Sequence, residues 1–489
     1  MPGGVKKSPD VIGRHESLHA GHYESTIERW ADHITNTRFD SIDKRYVQHA
    51  KNRIIDIIGC IIGGTRSPDA DMVLSLAEDW GVGKNRSSAV GFRKSCAVPP
   101  HTAAMANAIL ARSFDFGVLI PQVGTRLYEA HLSETSVPTT LALSEALHLS
   151  GKEMISALIV GDDIASRLIA ASNYSAGFNW DSTGTVNRFG ATAIAGSLLR
   201  LSQKKMMNAF GIILDQLSGS FQSINDRVNS FKLAQGMAAR DGIMAAELAD
   251  VGWLGSKDPL FGKFGYFSLF CSGEPDTNIL TEDLGTTYYA DSIFKPYPCC
   301  RQMHIFIDCA LNMVRENKSL DPKNIDKITV STSSRVASGP LNVDFFVGEF
   351  PTANARVNIA YNVANVLLRK KVDLDNYTEK SITDPVLNNL ISRVSVIEGS
   401  IRDEESIDLA EITVRTKKGE TFVAVARYAK GHPVFKPLSQ HEIEIKFMRN
   451  VDFSNLISTR RAEALLNRLK RLDEIEDVRE VTGLFSKIR

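Results

Sequence analysis

Cysteine is scarce. Six residues in a chain of 489 cannot staple so long a sequence, which excludes a disulfide scaffold and fits a reducing compartment. Cys299 and Cys300 are adjacent and too constrained to pair easily with each other, while Cys60 and Cys309 sit in apolar helical patterns as small core residues. Iron–sulfur clusters are held by three or four thiolates, and Cys-Cys-x8-Cys is not a cluster run. Net charge is absent as well: 57 Lys plus Arg balance 57 Asp plus Glu. A neutral chain gives no support for nucleic-acid binding, where a basic patch must neutralise phosphates. No uninterrupted apolar run reaches the roughly 20 residues that a membrane helix needs; Asp162 and Asp163 interrupt the best one, so no membrane association is expected. From Met1 to about Glu24 there is no apolar stretch of the kind that opens a secretory signal. A cytoplasmic location is the expectation, with the mitochondrion the alternative if the source is eukaryotic. His15, His19 and His22 stand at i, i+4 and i+7 and could share one helical face toward a metal. Their Ser, Gly and Lys neighbours read instead as a flexible arm over residues 1–23. No metal and no cofactor is expected anywhere in the chain.

A sequence of this length exceeds one typical core, so two domains are the natural expectation. From Glu24 to about Gly285 helix follows helix. Val47, Ala50, Ile54, Ile57, Ile58 and Ile61 make one apolar stripe ended by Gly63-Gly64. Ala103–Ala111, Thr139–Leu149, Met154–Ala171 and Gly190–Leu201 are rich in Ala and Leu, as tightly packed bundle helices are. After about Thr286 the composition shifts. Ile328–Thr332 and Val394–Ile397 read as strands by β-branched content, and Ala410–Thr416 and Thr421–Arg427 flank a Lys-Lys-Gly-Glu turn as a hairpin. A helix is expected over Ala353–Leu368. Helical periodicity resumes after Ser439, with Leu465, Leu466, Leu469 and Leu472 on one side. Neither an internal repeat nor a low-complexity segment is visible.

The most informative stretch is 294–308, Phe-Lys-Pro-Tyr-Pro-Cys-Cys-Arg-Gln-Met-His-Ile-Phe-Ile-Asp. Two prolines around Tyr297 forbid a helix there; helical spacing begins at Met303. A rigid extended segment thus feeds a helix and delivers Lys295, Arg301 and His304 close together. Two fixed cations and one titratable imidazole suit a site that holds carboxylates and moves protons. A surface loop with a solvated Lys/Arg pair and a core histidine would carry the same letters.

This segment resembles the Lys-Pro-Tyr-Pro-x-Cys-x-x-x-His signature of the MmgE/PrpD family, which includes 2-methylcitrate dehydratase, cis-aconitate decarboxylase and iminodisuccinate epimerase. Further matches follow in family order over roughly residues 25–489. Residues 54–64 look like its first long helix, 107–116 like its Asn-Gly-x-x-Ala-His-x-Leu-Asp-Tyr stretch, and His131-Leu-Ser133 with Val137-Pro138 like its His-Pro-Ser…Leu-Pro element. Thr183-Gly-Thr, Gly236-Met-Ala-Ala-Arg and Lys430-Gly-His-Pro continue the series. The resemblance implies a mainly α fold: a helical domain over 24–285, an inserted α+β lid domain over 286–436, and C-terminal helices over 437–489 that complete the helical domain. It also implies a homodimer and an active site between helical domain and lid.

Carried over position by position, the resemblance implies Asp115, His131, Lys295 and His304 as catalytic groups. The set is coherent. A proton α to a carboxylate is best removed by a base whose pKa lies near the working pH, which favours histidine; charge spreading onto the carboxylate would be stabilised by Lys295 or Arg301. Arg188, Lys232, Asp181 and Tyr297 complete the candidate substrate contacts. Each has a plainer reading: His131 as a satisfied loop histidine, Asp115 as a helix end, Arg188 as half of a surface pair. The chain also departs from the family. Gly117 and Val118 replace two acidic residues, Arg112 replaces a histidine, Asp181 stands in place of a histidine, and Phe231 in place of a lysine, with Lys232 one position away. A pocket with less positive charge and a taste for smaller, less charged or more apolar acids is the expectation. The leading functional expectation is a cofactor-independent lyase on a small polycarboxylate, dehydrating a citrate-like hydroxy acid. Decarboxylation of a cis-aconitate-like acid, epimerisation, and a non-catalytic binding or scaffold role are the alternatives.

Overall fold

The computed structural model describes residues 23–81, 87–91, 97–174, 180–339, 342–399 and 409–485. The three N-terminal histidines and the rest of the expected arm up to residue 22 lie outside these. Among the described residues no helix is long and apolar enough to cross a membrane.

The protein is mainly helical, with two large buried apolar clusters. The first draws on residues from Ile27 to Phe294 and again from Ile443 to Phe485; the second draws only on residues between Cys299 and Ala429. In the first, the helix Lys44–Gly64 is buried along most of its length and packs on both Pro100–Arg112 and Gln440–Ser454. Gly63 and Gly64 form its last turn and end it, as the sequence predicts. Their role is close approach. A side chain at Gly63 would strike Asn450, and one at Gly64 the backbone of Leu110. The helix Gly151–Ala171 is equally interior, and the carboxylates that break its apolar run are matched there: Asp162 by Arg53, Asp163 by Arg167 at 2.8 Å. Buried charges persist only with such partners.

The second cluster is built on a four-stranded sheet. Its order is Val394–Glu398, Ile325–Thr332, Leu409–Thr416, Thr421–Arg427, with the first pair parallel and the others antiparallel. Register places Val330 beside Val396 on one side and Ile412 on the other. The helix His304–Glu316 packs on this sheet and on Ile359–Arg369, burying Met303, Phe306, Ile307 and Ala310 as their spacing predicts. One expected helix is interrupted. Ala353–Leu368 is divided into Pro351–Ala355 and Ile359–Arg369, because Asn358 takes an extended conformation and caps the second helix, accepting the Tyr361 N–H at 2.8 Å. The break turns Arg356 out of the helical pattern.

Candidate active site

A cleft of about 840 Å³ runs between the two sets of elements. Its wall includes Arg112, Asp115, His131, Asp181 and Phe231 from one side, and Lys295, Cys300, Arg301 and Arg356 from the other.

Asp115 lies just past the helix Pro100–Arg112, at φ +48°. Asp tolerates this left-handed conformation better than most residues. It turns the carboxylate toward Arg112 and Lys295: Arg112 Nη1 donates to Oδ1, and Lys295 Nζ reaches both Oδ1, at 2.5 Å, and the Asp115 carbonyl, at 2.7 Å. Burial alone would raise this carboxyl; Arg112 and Lys295 hold it well below the usual carboxylate range. The cost of placing an ionised group among Phe114 and Phe116 is met by these two cations. Lys446, from the helix Gln440–Ser454, fastens the same loop by donating to the Phe116 carbonyl at 2.5 Å and pairing with buried Asp56 at 2.6 Å. Asp56 in turn accepts the Val118 N–H at 2.8 Å.

His131 immediately precedes the helix Ser133–Ala146. Its carbonyl accepts from Asn187 at 2.7 Å and Gln235 at 3.2 Å, and Asp291 accepts the Ser133 N–H at 2.7 Å, so the backbone is fixed on three sides. The ring Nδ1 lies 3.2 Å from the fully buried Glu134 carboxylate, which is also 3.4 Å from Arg112 Nε. That leaves Nε2 for a substrate. Burial and the nearby Arg112 lower the imidazole pKa, opposed by Glu134, so the ring is neutral at pH 7 and able to accept a proton. Glu134 is itself held below its ordinary value: burial would raise it, but Arg112 and His131 outweigh that. The result is a continuous series of alternating charge, Lys295–Asp115–Arg112–Glu134, that ends on the neutral His131 ring.

Four expected site residues do not line the cleft. His304 is fully buried, edge-on to the Tyr297 ring at 5.2 Å, and burial, then Arg301 and Lys295, push its pKa well down. Tyr297 gives its hydroxyl to Asp308 at 2.5 Å. Arg188 holds Asp241 at 2.9–3.0 Å in the interior between two helices; its partner is internal rather than on the surface. Lys232 is turned away from Phe231 and buried against Asp69 at 2.6 Å, with burial lowering its pKa to about 8. One residue of offset in a tight turn reverses the direction in which a side chain leaves. Asp181 does reach the cleft, where its carboxylate also accepts the Thr183 N–H at 3.0 Å.

Sequence reasoning missed Glu134 and Arg356 and took Arg112 only as a lost histidine. Arg356 is 2% exposed overall and donates to the Ser113 carbonyl at 2.6 Å, across the cleft; burial lowers its pKa to about 10. The Phe231 ring lies 5.4 Å from the Arg112 guanidinium carbon and 5.2 Å from that of Arg356, a distance at which an aromatic face attracts a cation. With Asp181 and Phe231 in place the cleft still carries several cations. Arg112, Arg227, Lys295, Arg301 and Arg356 all line it, and a cation at 231 would meet two others. Ile120 also lines the cleft, at φ +64°, a conformation that β-branched residues rarely adopt and that gathers at functional sites. Its N–H is held by the Ala130 carbonyl at 2.8 Å and its carbonyl by Ser292 at 2.9 Å.

The helical elements and the smaller α+β set thus enclose a cleft lined by Arg112, Arg227, Lys295, Arg301, Arg356 and the His131 imidazole. Residues 28–278 match the model of the MmgE/PrpD N-terminal domain and residues 297–473 that of the MmgE/PrpD C-terminal domain; the chain belongs to the MmgE/PrpD family. It is also similar to cis-aconitate decarboxylase of Homo sapiens, with 27% identity over 482 residues, spanning 94% of each chain.

Proposed function

We propose that the protein is a lyase that acts on a small polycarboxylate by removing the proton α to a carboxylate. The observation that carries this reading is the His131 imidazole, its pKa lowered by burial and Arg112, set in one cleft with Lys295, Arg301 and Arg356. His131 Nε2 takes the α-proton, and the electron pair left on carbon spreads onto the adjacent carboxylate. That group then bears extra negative charge, which fixed cations stabilise more than they stabilise the ground state. The pair next forms the carbon–carbon double bond as the β-hydroxyl leaves, taking a proton back from the His131 imidazolium, so that water and an unsaturated acid are released. Since His304 does not line the cleft, one imidazole serves as base and then acid. The residues require no cofactor for this sequence.

Dehydration of a citrate-like hydroxy acid is the form this chemistry takes with a leaving group on the β-carbon. The second reading is decarboxylation of a cis-aconitate-like acid, favoured by similarity to the human decarboxylase along nearly all of both chains. Incubation with 2-methylcitrate, citrate and cis-aconitate, followed by mass spectrometry, separates the two by loss of water or of CO2. Absence of either product from every acid, with the protein folded, would break the lyase reading in favour of a binding role. The active form on this reading is a homodimer, in line with the exposed Val251, Trp253 and Leu254; a monomer in light scattering at micromolar concentration would contradict it.

A further inference from the structure

We infer that the substrate carries an apolar substituent longer than a methyl group, seated against Ile120, Phe221, Ile224 and Phe231. The inference rests on the polycarboxylate reading for the other end of the molecule. The cleft's volume falls in the upper part of the roughly 300–1,000 Å³ range of pockets that enclose drug-sized ligands, and a small tricarboxylate fills a minor part of it. The rest of the wall is mixed. Leu119, Ile120, Phe221, Ile224, Phe231 and Val357 face the same space as the cations, beside uncharged polar residues such as Ser220, Gln222, Ser223 and Asn225. Ile224 is 38% exposed, on the short helix Gln222–Asn225 rather than in a core. Ile120 is held in its unfavourable conformation by hydrogen bonds to the Ala130 carbonyl and from the Ser292 hydroxyl, so its place in the wall is maintained against its own preference. Phe231 marks the border: its ring meets both guanidinium groups and leaves the position without a charge to bind a further carboxylate. Asp181, also in the wall, would repel one. A ligand that matches this surface has carboxylates at one end and an alkyl chain at the other.

Calorimetric titration of the full chain with succinate and its methyl, propyl, butyl and hexyl derivatives tests this without requiring turnover. Each buried methylene should tighten binding about three- to fourfold, until the arm is full. The double variant Phe221→Ala, Ile224→Ser should flatten the dependence on chain length, whereas Met72→Ser, at an exposed residue outside the cleft, should keep it. Equal or weaker binding of the longer acids by the wild type would overturn the inference, as would an unchanged dependence in the double variant. Both substituted residues are partly exposed, and an unchanged melting temperature will show that the variant folds. A flat series beside working catalysis overturns this inference alone; a rising series with no reaction of any acid overturns the lyase reading alone.

Discussion

The two sides of the cleft hold charge differently. The helical side carries both signs, with two local pairs, Arg112–Asp115 and His131–Glu134, joined by the contact of Arg112 with Glu134. The α+β side contributes cations, and two of them reach across: Lys295 to Asp115 and Arg356 to the Ser113 carbonyl. On the proposed mechanism, proton transfer and charge stabilisation fall to different parts of the chain. A substrate carboxylate entering between them competes with Asp115 for Lys295. The comparison teaches that the cations are prepaired, so that they are oriented before substrate arrives and their desolvation is already settled by folding.

The sharpest way to break this division is at the imidazole. His131→Asn should lower turnover about 10²–10⁴-fold, the usual worth of a positioned acid or base, with little change in melting temperature; near-wild-type turnover would remove His131 from the chemistry. On the opposite side, Lys295→Met should reduce turnover at least about 100-fold, the scale of losing one electrostatic contact to the transition state. It should also reduce stability, since Asp115 loses one of its two cations. Arg356→Met should act more on substrate affinity, raising KM about 10- to 150-fold, as expected for a lost hydrogen bond to a charged group worth about 1.5–3 kcal/mol. A change confined to kcat would place Arg356 on the wrong side of the comparison.

The smallest effect separates the two histidines by pH. Both have pKa values below the ordinary 6.5. For His131 this puts the acid limb of kcat/KM below pH 6.5. For His304 the consequence is on stability. As pH falls through 6.5 the unfolded chain binds a proton that the folded chain refuses, so folding free energy is lost on acidification until the folded pKa is passed. His304→Asn should weaken folding by about 1–3 kcal/mol and reduce that acid loss, while leaving turnover within tenfold. Chemical denaturation at pH 7.5 and 5.5 reads both; a catalytic collapse without destabilisation would restore His304 to the site.

Much of the fold was legible because burial leaves a period. The stripe from Val47 to Ile61 and the alternation in Thr421–Arg427 name their elements directly. The break at Arg356 was not, since one polar residue inside an apolar pattern looks like a helix surface; the following Asn358, a good N-cap, was the available signal. At the site, Asp115, His131, Asp181, Lys295 and Arg301 are brought to one cleft, yet Lys232 and Arg188 carry the same kind of letters and face inward. Their partners, Asp69 and Asp241, lie 163 and 53 positions away, and no local pattern records such a pairing. Glu134 was readable: three residues after His131, it is where a helical turn would place a partner for the ring.

The fastening of the Asp115 loop by Lys446 has a consequence for the protein's birth. The two ends of that contact, Phe116 and Lys446, are separated by 330 positions, so on the ribosome the loop is made long before its latch. Until Lys446 emerges, Asp56 has no cation to offset its burial, and the segment it anchors through Val118 cannot close at full strength. The Asp115 loop is synthesised early and latched late. A nascent chain therefore carries Asp115 and His131 through most of translation before the Lys446 latch exists.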